Sequence, residues 1–151
     1  DHLLAILKSQ HTNLLEICLN LAKGQEKFAY APATWSLQQL LGHIIDTERV
    51  FSYRALAISR GERQALPSFD ENEYLLHAQY ESQDFTDILT QYRHVRQATM
   101  SLIESFSTSQ ANQIGNANGQ SVSVRALAWM IAGHEKHHIQ VIKERYLIQN
   151  P

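Results

Sequence analysis

Cysteine is almost absent from this chain: Cys18 is the one thiol in 151 residues. A single thiol cannot close an internal disulfide, so the fold does not depend on an oxidising compartment. Helix breakers are scarce as well, with 3 prolines and 6 glycines, which favours long helices. No apolar run approaches the roughly 18 residues needed to span a bilayer. No signal-peptide pattern is visible either, and the expected compartment is the cytoplasm. Basic residues are in deficit, with 13 Lys and Arg against 15 Asp and Glu and a formal net charge of −2. Neither a basic surplus nor a basic run is available to neutralise phosphates, so nucleic-acid binding is not expected. The chain also lacks a glycine-rich phosphate loop, a Gly-x-Ser-x-Gly elbow and paired cysteines, and with them the chemistries those motifs carry.

What remains is a globular composition, 44% hydrophobic and 19% charged. A chain of this length can bury a sizeable core alone, and residues 1–151 read as one domain. Leu4, Leu7, Leu14, Cys18 and Leu21 form a helical stripe over Asp1 to Ala22, with Gly24 just past its end. Ser36-Leu-Gln-Gln39 fits a capping box. A long periodic pattern follows from Leu37 to Ile58 and stops near Gly61. Pro67 and a polar cluster from Ser68 to Asn72 break the periodicity, with a short helical turn expected around Tyr74 to His77. This connection exceeds the two to about eight residues of a tight helix hairpin. It is long enough to cross the bundle and set the third helix parallel to the second. That third helix is expected from about Asp84 to Phe106 and the fourth from about Val122 to Tyr146, separated by turn chemistry at Gly115, Asn116, Asn118 and Gly119. No strand-like alternation of useful length is visible. Four helices in one domain make an all-α four-helix bundle.

The one excess is histidine, eight residues in all. His134 and His138 lie at i and i+4 of the fourth helix, about 40° apart around its axis and about 6 Å along it. Two imidazoles so placed can converge on one ion, and they sit within the apolar stripe of Leu127, Ile131 and Ile142. Burial would keep them neutral and able to ligate. The alternative is a pair of core histidines bonded to carbonyls or carboxylates. A third ligand has to come from another helix, and His43, at the edge of the second helix's apolar face beside Gly42, is the best placed. Three histidines would leave coordination positions open, the form of a catalytic site rather than a closed structural one.

Glu48 falls on the apolar face of the second helix, between Ile44 and Phe51. Such a carboxylate either pairs with an arginine or accepts from a ligand histidine, or else acts as the catalytic general base beside the ion. Asp46 is a candidate outer ligand or a solvated ion-pair partner. His11 reads as a packed core residue, with an alternative ligand as the other reading, His77 and His94 as surface or linker residues, His137 as a solvated or rim residue, and Trp35 and Trp129 as core or rim aromatics. Cys18, with no basic neighbour, reads as a small core residue rather than a nucleophile.

Three stretches resemble the DinB superfamily: Trp35 to Leu56 its second-helix signature, Val124 to His138 its fourth-helix signature, and Leu66-Pro-Ser-Phe-Asp70 its linker. The resemblance covers nearly the whole chain in order and spacing. It implies a four-helix bundle of up-down-down-up topology with a metal triad of one histidine from helix two and a His-x-x-x-His pair from helix four. These positions fall on His43, His134 and His138. It further implies nickel or zinc as the ion, which imidazole suits, a homodimer, and a small-molecule substrate. Characterised relatives include transferases and isomerases that use low-molecular-weight thiols, and others are described as metal-dependent hydrolases. The expected function is thiol S-transfer at an open metal site. Hydrolysis and a non-enzymatic metal-binding stress module are the alternatives.

Overall fold

The computed structural model describes residues 2–147. Helix α1 (His2–Leu19) buries Leu7, Leu14 and Cys18 of the expected stripe, with Leu3 buried in place of the half-buried Leu4 and Leu21 beyond the helix end, while the expected start at Asp1 lies outside the described residues. Helix α2 (Leu37–Ser59) begins with the capping box read from the sequence. The Ser36 hydroxyl accepts from the Gln39 amide, and the Gln39 side chain accepts from the Ser36 amide at 3.0 Å. Both free donors of the first turn are thereby satisfied.

The crossover contains more helix than expected. Helix α3 (Glu71–Ala78) is capped by Asp70, whose carboxylate accepts from the amides of Asn72 and Glu73. A 3₁₀ turn at Tyr80–Ser82 then leads into α4 (Phe85–Ser105). Helix directions follow from the contacts. Gln38 donates to the Gln83 carbonyl and Arg49 to Gln91, so α2 and α4 run parallel. Arg96 donates to the Leu7 carbonyl while His11 stacks on Tyr92, so α1 and α4 are antiparallel.

After a one-turn helix α5 (Thr108–Ala111), the segment expected as turns forms a small antiparallel hairpin, β1 (Ile114–Ala117) and β2 (Gln120–Ser123). Its two-residue connection, Asn118 and Gly119, has positive φ at both positions, 54° and 72°, as a type I′ turn requires. Leu66 from the crossover bridges to Ala117, its amide donating to the Asn116 carbonyl and its carbonyl accepting from the Asn118 amide. The hairpin is thus tied to the bundle by backbone as well as by side chains.

Helix α6 (Val124–Val141) continues into a wider π turn at Ile142–Tyr146. It runs parallel to α1 and antiparallel to α2, because His2 lies by Trp129 and Gln10 bonds Ala132, while His43 meets both His134 and His138 and Ile58 packs near Leu127. The order is up-down-down-up. Around the bundle the neighbours run α1, α4, α2, α6. The core contains fully buried Leu14, Leu41, Ile44, Ile88 and Ile142, each contributing about 1.5–3 kcal/mol by burial. No helix of the described residues is long and apolar enough to cross a membrane.

One close approach holds the crossover onto α2. The Tyr80 ring lies flat on Gly42, where any Cβ would collide with it, and its hydroxyl donates to Asp46 at 2.7 Å. Gly42→Ala is expected to destabilise the protein by about 1–3 kcal/mol through this overpacking. Urea denaturation measures it, and an unchanged midpoint would mean that the ring does not need this space.

Candidate metal centre

The antiparallel pairing of α2 and α6 brings His43 against His134 and His138. The Nε2 atoms of His43 and His134 are 3.0 Å apart, and those of His138 and His134 are 3.1 Å apart. All three candidate ligand atoms lie within 4.8 Å of one another. The His43 ring is held from two sides: the Trp35 ring packs at 4.8 Å, and Thr47 Oγ1 lies 3.4 Å from Nδ1. With Nε2 serving as a metal ligand, Nδ1 would carry the proton and donate to that hydroxyl, fixing ring and tautomer together.

Burial, and then the charge each ring would place on its neighbours, pushes the pKa of His43 and His134 down to about 4 and that of His138 to about 3. At neutral pH the site therefore presents three uncharged imidazoles. Hydrogen bonding alone does not satisfy them. A ring nitrogen offers one in-plane lone pair or one N–H, and His134 Nε2 faces two neighbours. His138 Nδ1 is buried with no hydrogen-bond partner. A tetrahedral ion with metal–nitrogen distances of about 2.0–2.1 Å would hold its ligands about 3.3 Å apart. The donor set fits a divalent cation.

One turn along α2, Glu48 belongs to a different assembly. Arg96 of α4 donates to both Glu48 oxygens at 2.8–3.3 Å, to Glu135 of α6 at 2.5 Å and to the Leu7 carbonyl of α1 at 2.9 Å. Tyr92 donates to the other Glu135 oxygen. These three charged side chains are 0–3% exposed and join all four long helices. Burial opposes the charge on Arg96, but the two carboxylates outweigh it and hold the guanidinium firmly protonated. The carboxylate of Glu48 is thus occupied by an arginine, the first of the three roles its position allowed.

On the side of His43 and His134 opens a cavity of about 420 Å³. Thr47, Phe51 and Arg54 of α2 form one wall, Ser68, Phe69 and Glu71 of the crossover another, and the hairpin residues Asn118, Gln120, Ser121 and Val122 a third. A second hollow of about 300 Å³ reaches His138 from the opposite side, between Trp35, Tyr30 and Arg145.

The other candidate residues lie elsewhere. Asp46 accepts from Tyr80 and is not part of the triad or of its cavity wall, with burial raising its pKa. His11 stacks on Tyr92 at 5.2 Å. His77, His94 and His137 are exposed. Cys18 is buried and its thiol is pushed up to about 12, so it is not a nucleophile. Trp35 is half-buried against His43, whereas Trp129 is 43% exposed.

The fold and site define a four-helix bundle with a three-histidine centre capable of holding a metal. The chain belongs to the DinB superfamily, whose family model matches residues 6–142. Its structure is similar to that of YfiT from Bacillus subtilis, with a TM-score of 0.85 at 16% identity over 95% of this chain and 83% of that one. YfiT is described as a probable metal-dependent hydrolase with an unusual four-helix bundle topology. A DinB-like protein, YjoA, also from Bacillus subtilis, aligns with a TM-score of 0.67 at 19% identity over 100% of this chain and 96% of that one. No curated protein matches the sequence.

Proposed function

We propose that this protein is a metal-dependent enzyme acting on a small molecule. In this reading His43, His134 and His138 hold one divalent ion, nickel or zinc, and a low-molecular-weight thiol is the nucleophile transferred at that site. The observation that carries the proposal is the cavity of about 420 Å³ with His43 and His134 in its wall. A non-enzymatic metal module would close an apolar shell around the ligands, whereas this cavity is open and Thr47, Arg54, Ser68, Asn118 and Ser121 place polar groups in its largely apolar wall.

When bound, a divalent ion supplies the positive charge that favours the thiolate over the thiol. The chain's own residues prepare that chemistry. Burial lowers the pKa of all three imidazoles, Thr47 and Trp35 fix the His43 ring, and the Phe51 ring stands edge-on to His134 at 6.2 Å. Glu48 is proposed as a residue that fixes α2 through Arg96 and not as the proton carrier, because Arg96 holds both its oxygens. The homodimer implied by the resemblance remains part of the proposal, and sedimentation at equilibrium tests it.

A second reading, activation of water for hydrolysis, is favoured by the description of YfiT as a probable metal-dependent hydrolase. Cobalt(II)-substituted protein separates the two. Titration with cysteine or another small thiol should produce a sulfur-to-cobalt charge-transfer band that is missing from His134→Ala. Cobalt spectra indifferent to every small thiol would shift the assignment to hydrolysis. A wild-type protein that takes up neither cobalt, nickel nor zinc would sink both readings.

A further inference from the structure

Arg54 has no role in the metal centre or in the ion cluster, yet it is only 6% exposed. A charge so deeply buried is ordinarily paired. Among the described residues no carboxylate lies within ion-pair distance of it. Its one protein hydrogen bond runs from Nη2 to the Pro67 carbonyl at 2.8 Å, which leaves most of its five donors unused. The Phe51 and Phe69 rings stand 5.7 and 5.9 Å from its guanidinium carbon and fix its orientation. The cavity wall also includes Glu71, but that carboxylate is exposed and out of reach of an ion pair.

The placement along α2 is informative. His43, Thr47, Phe51 and Arg54 occupy successive turns of one helix face, and all four line the same cavity. Eleven residues of helix separate the first from the last, about 16 Å of axial rise. A helical arginine leans back toward the N-terminus, which shortens that gap. The cavity is therefore a trough with neutral metal-ligating imidazoles at one end and an uncompensated cation at the other.

We infer that Arg54 is the anion-binding group of this trough, and that its ligand is an elongated small molecule with an oxyanion, a carboxylate or a phosphate, at the end remote from the three histidines. The guanidinium fork matches either oxyanion with two parallel hydrogen bonds, and its remaining donors face the cavity. The orientation of the ligand's other end rests on the metal-dependent reading above, whereas the oxyanion contact does not. The competing account gives Arg54 only the task of tethering the crossover through Pro67. A single bond to a carbonyl needs no charge, and glutamine can supply that donor.

The experiment is a nuclear magnetic resonance titration of ¹⁵N-labelled protein, metal-free and zinc-loaded. The probes are straight-chain dicarboxylates of graded length and inorganic phosphate, with the matching neutral diamides as controls. Saturable movement of the Arg54 Nε–H signal by at least one oxyanion, and by no diamide, is expected in both forms of the protein. Whether dicarboxylates or phosphate bind more tightly identifies the oxyanion. Arg54→Gln should weaken that binding, followed on the amides of Asn118 to Val122, by about ten- to a hundredfold. Its zinc content and melting midpoint should stay those of the wild type. The inference is overturned if no oxyanion in the series moves the Arg54 signal, or if Arg54→Gln binds the anions equally well. A protein that binds oxyanions through Arg54 but takes up no zinc would overturn the metal reading alone.

Discussion

Arg96→Ala is expected to destabilise the bundle by about 3–5 kcal/mol, the cost of leaving buried carboxylates without their counter-charge. Glu48 and Glu135 are 3% and 1% exposed, and Arg96 is the cation that bonds both. The same substitution also strips the Leu7 carbonyl of its donor. Against a total stability of about 5–15 kcal/mol, a loss of this size shows as a large fall in the urea midpoint, or as failure to fold. A compensated variant distinguishes the mechanism. Replacing Arg96, Glu48 and Glu135 together with apolar residues of similar volume should recover most of the loss, since the destabilisation comes from the orphaned charges rather than from the missing pair. A single variant that loses less than about 1 kcal/mol would show that water reaches the cluster and that it does not hold the helices together.

The second large effect concerns the histidines. Protein purified without an affinity tag is expected to hold about one divalent ion per chain, because three ligands converge on one point. His43→Ala, His134→Ala and His138→Ala should each lower the affinity by more than the roughly 10–100-fold that outer hydrogen-bond partners of metal ligands are worth. His137→Ala is the internal control. That ring is exposed and adjoins His138 in sequence, but it is not one of the three convergent groups. Elemental analysis after dialysis, together with competition against a chelator, reads both outcomes. Equal metal content in all five proteins would remove the triad from consideration.

Much of this architecture is legible in the sequence. The long helices follow from apolar period and capping, and the Ser36–Gln39 box forms as read. The long crossover forecast parallel α2 and α4, and the Gln38–Gln83 and Arg49–Gln91 contacts bear that direction out. The hairpin was missed because each strand has four residues, too few for an alternating pattern to stand out. The signal was nevertheless there in Asn118-Gly119, the dipeptide best suited to two successive positive φ values. Arg96 and Glu135 were passed over for a different reason. Each falls on the apolar face of its own helix, Arg96 four residues after Tyr92 and Glu135 four after Ile131. Period alone marks them as buried. It cannot say that they meet Glu48, since that depends on the relative height of three helices fixed only by packing. Arg54 shares this history: its helix face was readable, but its cavity exists only because the hairpin and the crossover close over it.

That division between bundle and hairpin separates two kinds of change open to such a protein. The histidines and the ion cluster lie on helices whose every turn is packed, so substitutions there carry a penalty in stability. The wall formed by Asn118, Gln120, Ser121 and Val122 comes from a short ribbon held chiefly by main-chain hydrogen bonds to its own partner strand and to Leu66. The exposed side chains of Gln120 and Ser121 can be exchanged while the ladder persists, whereas Val122 packs against the core and Asn118 is held at a positive φ. The turn at Asn118-Gly119 even tolerates insertion in principle, as hairpin tips do. The shape and polarity of that wall are therefore open to change by a few replacements within ten residues, with the three-histidine centre inherited intact.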